Sequence, residues 1–203
     1  MKRCQLTIIG AGGHSRVLAD IARLEGYVSI RFLSDGGEPG ISGKVHDYVK
    51  YIDGSDFFVA IGNNAVRKRI CEQLIAKGAS LINLIHPNAV IAENTIMGTG
   101  VAAMAGAVVN PGSRIGNGVI LNTCCSVDHD CVIGDFAHIS VGARLAGTVC
   151  VGDGVFVCAG AVVINDICIC DNVVIGAGAV VVKNIAEPGT YVGVPAKRQS
   201  FWE

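Results

Sequence analysis

The sequence predicts a small parallel α/β unit over residues 1–85, a hexapeptide parallel β-helix over 86–186, and a C-terminal tail over 187–203. Two observations carry this. Over 91–186 an aliphatic residue heads nearly every six-residue step, from Ile91 and Met97 through Val109, Ile115, Leu121, Val127 and Ile133 to Ile175 and Val181, with only Ala103 small at the lead, sixteen hexads without a break. Before residue 86, apolar strands alternate with helical patterns and end in glycine-rich turns, as strands joined by crossover helices do.

The period decides the class of the second part. A helix repeats near 3.6 residues and a simple sheet strand every 2; a period of six is a short strand plus a corner, repeated. Four residues after each lead stands a small or β-branched residue, such as Ala107, Ser113, Val119, Cys125, Cys131, Ala137 and Ala143. One large and one small inward group per hexad let a narrow prism close. Gly98, Gly116, Gly134, Gly152 and Gly176 follow their leads directly and are expected to supply the backbone angles of the corners.

In the first part, a strand over 4–9 runs into Gly10-Ala11-Gly12-Gly13-His14-Ser15. A helix is expected over 15–24, capped by Ser15, with Val17, Leu18, Ile21 and Ala22 on its inner face. A second strand over 28–33 ends at Ser34-Asp35, and a polar loop over 36–43 follows. A third strand over 57–61 ends in Gly62-Asn63-Asn64, a helix over 65–77 is closed by Gly78, and a fourth strand covers 81–85. His86-Pro87 marks the boundary to the coils.

Gly10-x-Gly12 between strand and helix is a place for phosphates, because glycine admits close backbone approach and a helix start offers free N–H groups. Ser15 replaces the third glycine of the dinucleotide fingerprint, and the unit has too few strands for a full dinucleotide fold. Asp35, at the end of the second strand, can accept hydrogen bonds from ribose hydroxyls. The turn alone is also compatible with no ligand. The loops at 12–14, 35 and 62–63 are expected to meet at the carboxyl ends of parallel strands, which favours a nucleotide-type ligand.

Of 203 residues, 51% are hydrophobic and 16% charged, with a net charge of −1. That gives no electrostatic case for nucleic acid or an anionic membrane. The apolar run near the N-terminus is too short for a signal peptide, and no stretch approaches the roughly 20 apolar residues of a membrane helix. A cytoplasmic protein is expected. Nine cysteines without an export signal argue against disulfides. Cys125 and Cys131 fall on the small inward slot, where cysteine is an apolar filler, and no paired CxxC motif suggests a metal.

Against the hexad background, Asn122, Asp128-His129-Asp130 and His138 stand out. His129 is third in its hexad and should point outward. The acids on both sides orient the ring and raise its basicity, as a general base requires. If three hexads make a coil, His138, nine residues on, lies on the opposite side of the prism. The two histidines can then share a site only across a subunit boundary.

Taken together, several segments resemble one family. They are Gly10-Ala11-Gly12-Gly13-His14, the run 57–64, Asn83-Leu84-Ile85-His86, Val119-Ile120-Leu121-Asn122-Thr123, the run 128–134, and the run 191–198. Over its full length the chain resembles bacterial sugar acetyltransferases of the sialic acid O-acetyltransferase-like (NeuD/PglD) group. It is most similar to the nucleotide-aminosugar N-acetyltransferases of the bacillosamine pathway. The resemblance implies a left-handed β-helix, three hexads per coil, a homotrimer with sites between prisms, and acetyl-CoA as donor. It assigns His129 as general base with Asp130 as its supporting carboxylate. It places His138 and the backbone of Gly147 near the thioester and the pantetheine arm near Ala159 and Ala177, with Asn122 also counted among the acetyl-CoA-binding residues. It places the nucleotide sugar near Gly12, Gly13, His14, Asp35, Gly62 and Asn63.

The expected function is therefore acetyl-CoA-dependent N-acetylation of a UDP-4-amino-4,6-dideoxy sugar, by direct attack on the thioester and without a metal. O-acetylation of a sialic acid or other sugar hydroxyl is the alternative, since a histidine base serves both. A zinc hydrolyase on this fold would need three converging histidines, and the coils over 91–186 hold two. A non-catalytic sugar-nucleotide binder has no use for an acid-flanked His129.

Overall fold

The computed structural model describes residues 5–199, so the expected strand residue Cys4 and residues 200–203 lie outside it. Strands β1 (Gln5–Ile9), β2 (Ser29–Leu33), β3 (Asp56–Val59) and β4 (Ser80–Leu81) form a parallel sheet ordered β2-β1-β3-β4. Side chains alternate across it. Leu6, Ile8 and Phe58 pack with helix α1 (Gly13–Leu24), while Ile9, Phe57 and Val59 pack with helix α2 (Asn64–Ala76).

Helix α1 begins two residues earlier than the pattern suggested. Gly12 is its N-cap, with no side-chain cap. Ser15 is not a cap: it is fully buried, and its hydroxyl points at the Ala60 carbonyl, 3.4 Å away on the chain after β3. Val17 is 45% exposed and lies off the inner face formed by Leu18, Ala19, Ile21 and Ala22. A 3-10 segment, Val45–Gly54, is an element the periodicity did not flag; it packs Val45, Tyr48, Tyr51 and Ile52 onto the α2 side of the sheet.

The apolar run at 81–85 is two strands, not one. Leu81 pairs with Phe57 in the α/β sheet, whereas Leu84–Ile85 pairs with Ala102–Ala103 in the coils. Ile85 is a hexad lead one step before Ile91, so the solenoid starts before His86. Leu84 is fully buried in a cluster that joins Leu6, Leu18 and Phe58 to coil residues Ala102, Met104 and Ile120. That cluster glues the α/β unit to one face of the prism.

The coils form a left-handed parallel β-helix. Its rungs pair at a fixed offset: Ile115 with Ile133, Leu121 with Ile139, Val127 with Leu145, each 18 residues apart. Three hexads therefore make a coil. Among the described residues the coil faces are sheets of five, eight and six strands. Leads and small slots fill the interior together: Leu121, Cys125, Val127, Cys131, Ala137 and Ile139 are all fully buried. The segment after 187 extends the eight-stranded face, with Gly189–Val192 parallel to Val173–Ile175 and antiparallel to Lys197–Arg198.

The glycines after the leads have a different reason from the expected one. The left-handed backbone falls three residues after the lead, at Gly100, Gly118, Gly142 and Gly154 and also at Asp130 (φ 58°) and Phe136 (φ 56°). Gly98, Gly116, Gly134 and Gly152 instead mark close approach between coils. A Cβ on Gly134 would lie 2.6 Å from the Gly152 carbonyl carbon and 2.7 Å from the Asp153 nitrogen.

Gly134→Ala must push two coils apart at a backbone contact. Overpacking of this kind costs about 1–3 kcal/mol, to be read as a lower urea midpoint. An unchanged midpoint would contradict the close-approach account.

Candidate active site

Three separate places on the chain, and a further cleft at Asp35, carry the residues singled out from sequence. The first is the corner between the six- and five-stranded faces, where Val127 leads into Asp128-His129-Asp130. His129 Nδ1 lies 2.9 Å from Asp130 Oδ2, which leaves Nε2 as the nitrogen for chemistry. Asp130 holds its left-handed corner conformation, one that Asp tolerates better than most residues. Asp128 Oδ1 accepts the His129 N–H at 2.7 Å and the Asn110 amide at 2.7 Å, so the loop is fixed from two sides. Gly147, one coil on, sits directly against the ring: a Cβ there would be 2.5 Å from Nε2. The imidazole thus lies over bare backbone, 58% exposed. Its pKa is raised, first by the hydrogen bond to Asp130 and then by the charges of Asp128, Asp130 and Asp166.

The second place is the crevice between the α/β unit and the eight-stranded face. Gly12 and Gly13 open helix α1, and no atom stands within 4 Å of a Cβ built on Gly12 or Gly62. Asn63 caps α2, its side chain accepting the Val66 N–H at 3.0 Å. His138 projects from the coils into this region, buried, stacked on Phe156 with ring centroids 4.8 Å apart. Asn122 fixes its proton. The Asn122 carbonyl oxygen accepts the Thr123 N–H at 2.8 Å, so its amide nitrogen faces His138 Nε2 at 3.0 Å. Nε2 must accept, and the ring proton sits on Nδ1. Burial, Arg67 and His14 push the pKa of His138 down to about 3, and burial and Arg67 push that of His14 down to about 4. Both rings are neutral at ordinary pH. His14 Nε2 is buried without a hydrogen-bond partner among the described residues and so is available to a ligand. His138 Nδ1 has no hydrogen bond of good geometry there, but the Gly62 backbone beside it acts on the ring and partly offsets the downward shift.

A cavity of about 670 Å³ opens here, lined by Gly62, Asn63, Asn64, Lys68, Phe136, His138, Asp153 and Phe156 among others. Asp35 lines a different cleft, of about 550 Å³, with Val45, His46, Tyr48 and Arg69. Its Oδ1 accepts the Val45 N–H at 3.1 Å and so anchors the 3-10 segment. The third place holds Ala159 and Ala177, one coil apart and exposed at the corner between the eight- and six-stranded faces.

The structure therefore brings Gly12, Gly13, His14, Gly62, Asn63, Asn122 and His138 to one side, and His129, Asp130 and Gly147 to another. Sequence reading passed over Arg67, Asn64 and Phe156. Arg67 had a signal: it occupies the first position of a buried stripe continued by Ile70, Cys71 and Leu74, where an apolar residue belongs. Cys125 and Cys131 are buried, and burial raises both thiols, Cys125 to about 12; neither is a thiolate nucleophile. No group of three or more His, Cys, Asp or Glu side chains placed to hold a metal occurs among the described residues. No helix among them is long and apolar enough to cross a membrane.

The fold, a hexapeptide β-helix with an α/β unit packed on one face, is shared with solved acetyltransferases. Residues 5–74 match the PglD N-terminal domain family. The acetyltransferase domain of PglB from Neisseria gonorrhoeae FA1090, solved with acetyl coenzyme A, is 39% identical with a TM-score of 0.92, covering 98% of this chain and 100% of that one. PerB from Caulobacter crescentus, solved with CoA and GDP-perosamine, is 36% identical with a TM-score of 0.92, covering 97% of each chain. UDP-N-acetylbacillosamine N-acetyltransferase of Bacillus subtilis (strain 168) is 35% identical over 110 residues, 49% of this chain and 51% of the relative. The matches to curated relatives span about half of those proteins' length or less. The chain belongs to the NeuD/PglD-like family of nucleotide-aminosugar N-acetyltransferases.

The buried histidines set an acid limit on stability. The folded values of about 4 for His14 and about 3 for His138 lie below the ordinary 6.5. Below pH 6.5 the unfolded chain takes up protons the folded chain refuses, so stability is full above 6.5 and is lost as pH falls toward 4 and 3. The urea midpoint should decline over that interval, and His138→Asn should decline less steeply. Equal slopes would show that His138 is not held neutral by the fold.

Proposed function

We propose that this chain transfers the acetyl group of acetyl-CoA to the 4-amino group of a UDP-linked 4-amino-4,6-dideoxy sugar. The observation that carries the reading is His129 held by Asp130 at 2.9 Å over the bare backbone of Gly147. A thioester is already activated, so the amine attacks it directly and no covalent enzyme intermediate is needed. The amine must shed a proton as its nitrogen bonds to the carbonyl carbon, and His129 Nε2 takes it. Asp130 on Nδ1 keeps Nε2 as the accepting tautomer and stabilises the imidazolium that forms.

The tetrahedral intermediate carries charge on the former carbonyl oxygen, which a fixed donor must meet. The Gly147 N–H takes this role; the intermediate then collapses, its C–S bond breaks, and the CoA sulfur leaves with the proton returned from the His129 imidazolium, giving the amide and free CoA. Thr148 donates to the His129 carbonyl and the Gly147 carbonyl accepts from Asp166, leaving the Gly147 N–H outside that ladder. At the third position of other hexads a preceding side chain can occupy the amide, as Asp128 does for His129, the residue one coil before Gly147, and Asn122 for Thr123 at another corner; before Gly147 stands Ala146, which has no acceptor on its side chain.

His138, neutral with its proton on Nδ1, and His14 belong to the pocket on the other face of the prism. His129 of one subunit is completed by the crevice and His138 of its neighbour in a homotrimer, because head-to-tail contacts between identical chains close as a ring. The acetyl-CoA complex of the N. gonorrhoeae domain and the CoA and GDP-perosamine complex of PerB support the two substrate classes. The B. subtilis relative, a UDP-N-acetylbacillosamine N-acetyltransferase by name, supports a UDP-linked sugar of the bacillosamine type.

His129→Ala should lower kcat by about 10²–10⁴ with little change in KM for acetyl-CoA; a near-normal kcat would end the assignment. Because the base works unprotonated and its pKa is raised, the acid limb of kcat/KM should fall above pH 6.5. Asp130→Asn should move that limb down. A limb that ignores Asp130 would assign the base elsewhere.

A further inference from the structure

Arg67 is 1% exposed, yet the bonds recorded for its guanidinium run to carbonyl and amide oxygens rather than to a carboxylate. Nε donates to the Gly118 carbonyl at 2.7 Å, and Nη2 to the Phe136 carbonyl at 2.7 Å and, more weakly, to that of Ala137 at 3.4 Å. Nη1 turns the other way, to the carbonyls of Ile61 at 3.0 Å and Gly62 at 3.2 Å. Nη2 also meets Asn64 Oδ1 at 2.9 Å, and the Asn64 amide nitrogen continues to the carbonyls of Gly154 at 2.9 Å and Val155 at 3.2 Å.

The coil acceptors have a pattern. Gly118, Phe136 and Gly154 are 18 residues apart, the same corner position on three successive coils, and all three have left-handed φ (60°, 56° and 64°). Arg67 and Asn64 thus grip three rungs of one corner. The opposite end of the guanidinium holds the loop after β3 that forms the wall of the crevice, and Ala137 immediately precedes His138.

We propose that Arg67, with Asn64 as its relay, is a positioning residue that fixes the 61–63 loop at one height on the β-helix, so that a ligand held by that loop is presented opposite His138. The identity of that ligand rests on the function proposed above; the latch does not. A guanidinium suits the task because its planar fork reaches acceptors on two bodies at once, where an ammonium is a single point. Burial lowers the pKa of Arg67 only to about 10, so the charge persists at neutral pH. Removing it strands several carbonyls away from water.

The test compares full-length wild type with Arg67→Met and Arg67→Lys by amide hydrogen exchange, and by steady-state kinetics with acetyl-CoA and a UDP-4-amino-4,6-dideoxy sugar. In Arg67→Met, exchange over 61–66 should quicken about tenfold or more while coil amides over 139–181 stay protected. The sugar kcat/KM should fall about 100-fold, as misplacement near a reacting centre does, with KM for acetyl-CoA within about twofold. Arg67→Lys should be intermediate in both readouts. Unchanged exchange over 61–66 in a folded variant, or loosening of loop and coils together with equal loss for both substrates, would overturn the latch. If Arg67→Met does not fold, the same readouts on Arg67→Lys decide. A wild-type protein inactive on this sugar would refute the substrate reading and leave exchange to judge the latch.

Discussion

The stacking of coils at an 18-residue register is the constraint on which everything else depends. Each strand is only two residues long in most rungs, so no strand is stable alone; its backbone bonds and its inward side chain are satisfied only by the coils above and below. Once Leu121 must lie under Ile139 and Val127 under Leu145, every outward residue has an address: a face, a corner and a height. Function is written in those addresses. His129 and Gly147 share a corner one coil apart, which is why the second must be glycine if the first is to keep its ring in place. Gly118, Phe136 and Gly154 share another, and the α/β unit is fastened there.

The same constraint keeps the two histidines apart. The prism interior is filled by buried aliphatic leads and small residues, so His129 and His138 cannot meet through it. They have opposite electrostatics as well. His129 is open to solvent among acids that favour its protonated form, while His138 is buried beside a cation and a second imidazole that keep it neutral. One is suited to take a proton and the other to present a fixed donor.

Much of the architecture was legible because six-residue periodicity has few causes, and a slip of one residue would bury polar groups along the whole solenoid. The acid-flanked His129 was legible for a related reason: against so regular a background a polar run is conspicuous. Readings failed where two explanations share one residue type. Glycine after the lead looked like a turn residue but serves close backbone approach; Leu84 and Ile85 looked like the end of an α/β strand but begin the coils. Ser15 looked like a cap but reaches across to Ala60. The latch was missed because its acceptors are main-chain carbonyls, which every residue has and no sequence pattern marks. Arg67 on an apolar helix stripe was the one visible trace of it.

The central claim is that the catalytic base of one subunit works against the crevice and His138 of another. It is tested most directly by mixing two inactive proteins, His129→Ala and His138→Ala, under conditions where subunit exchange is demonstrated. Mixed assemblies contain some interfaces with both histidines intact, so acetyl transfer should return in part, in proportion to those interfaces. No recovery after proven exchange would show that the two residues do not serve one site between subunits.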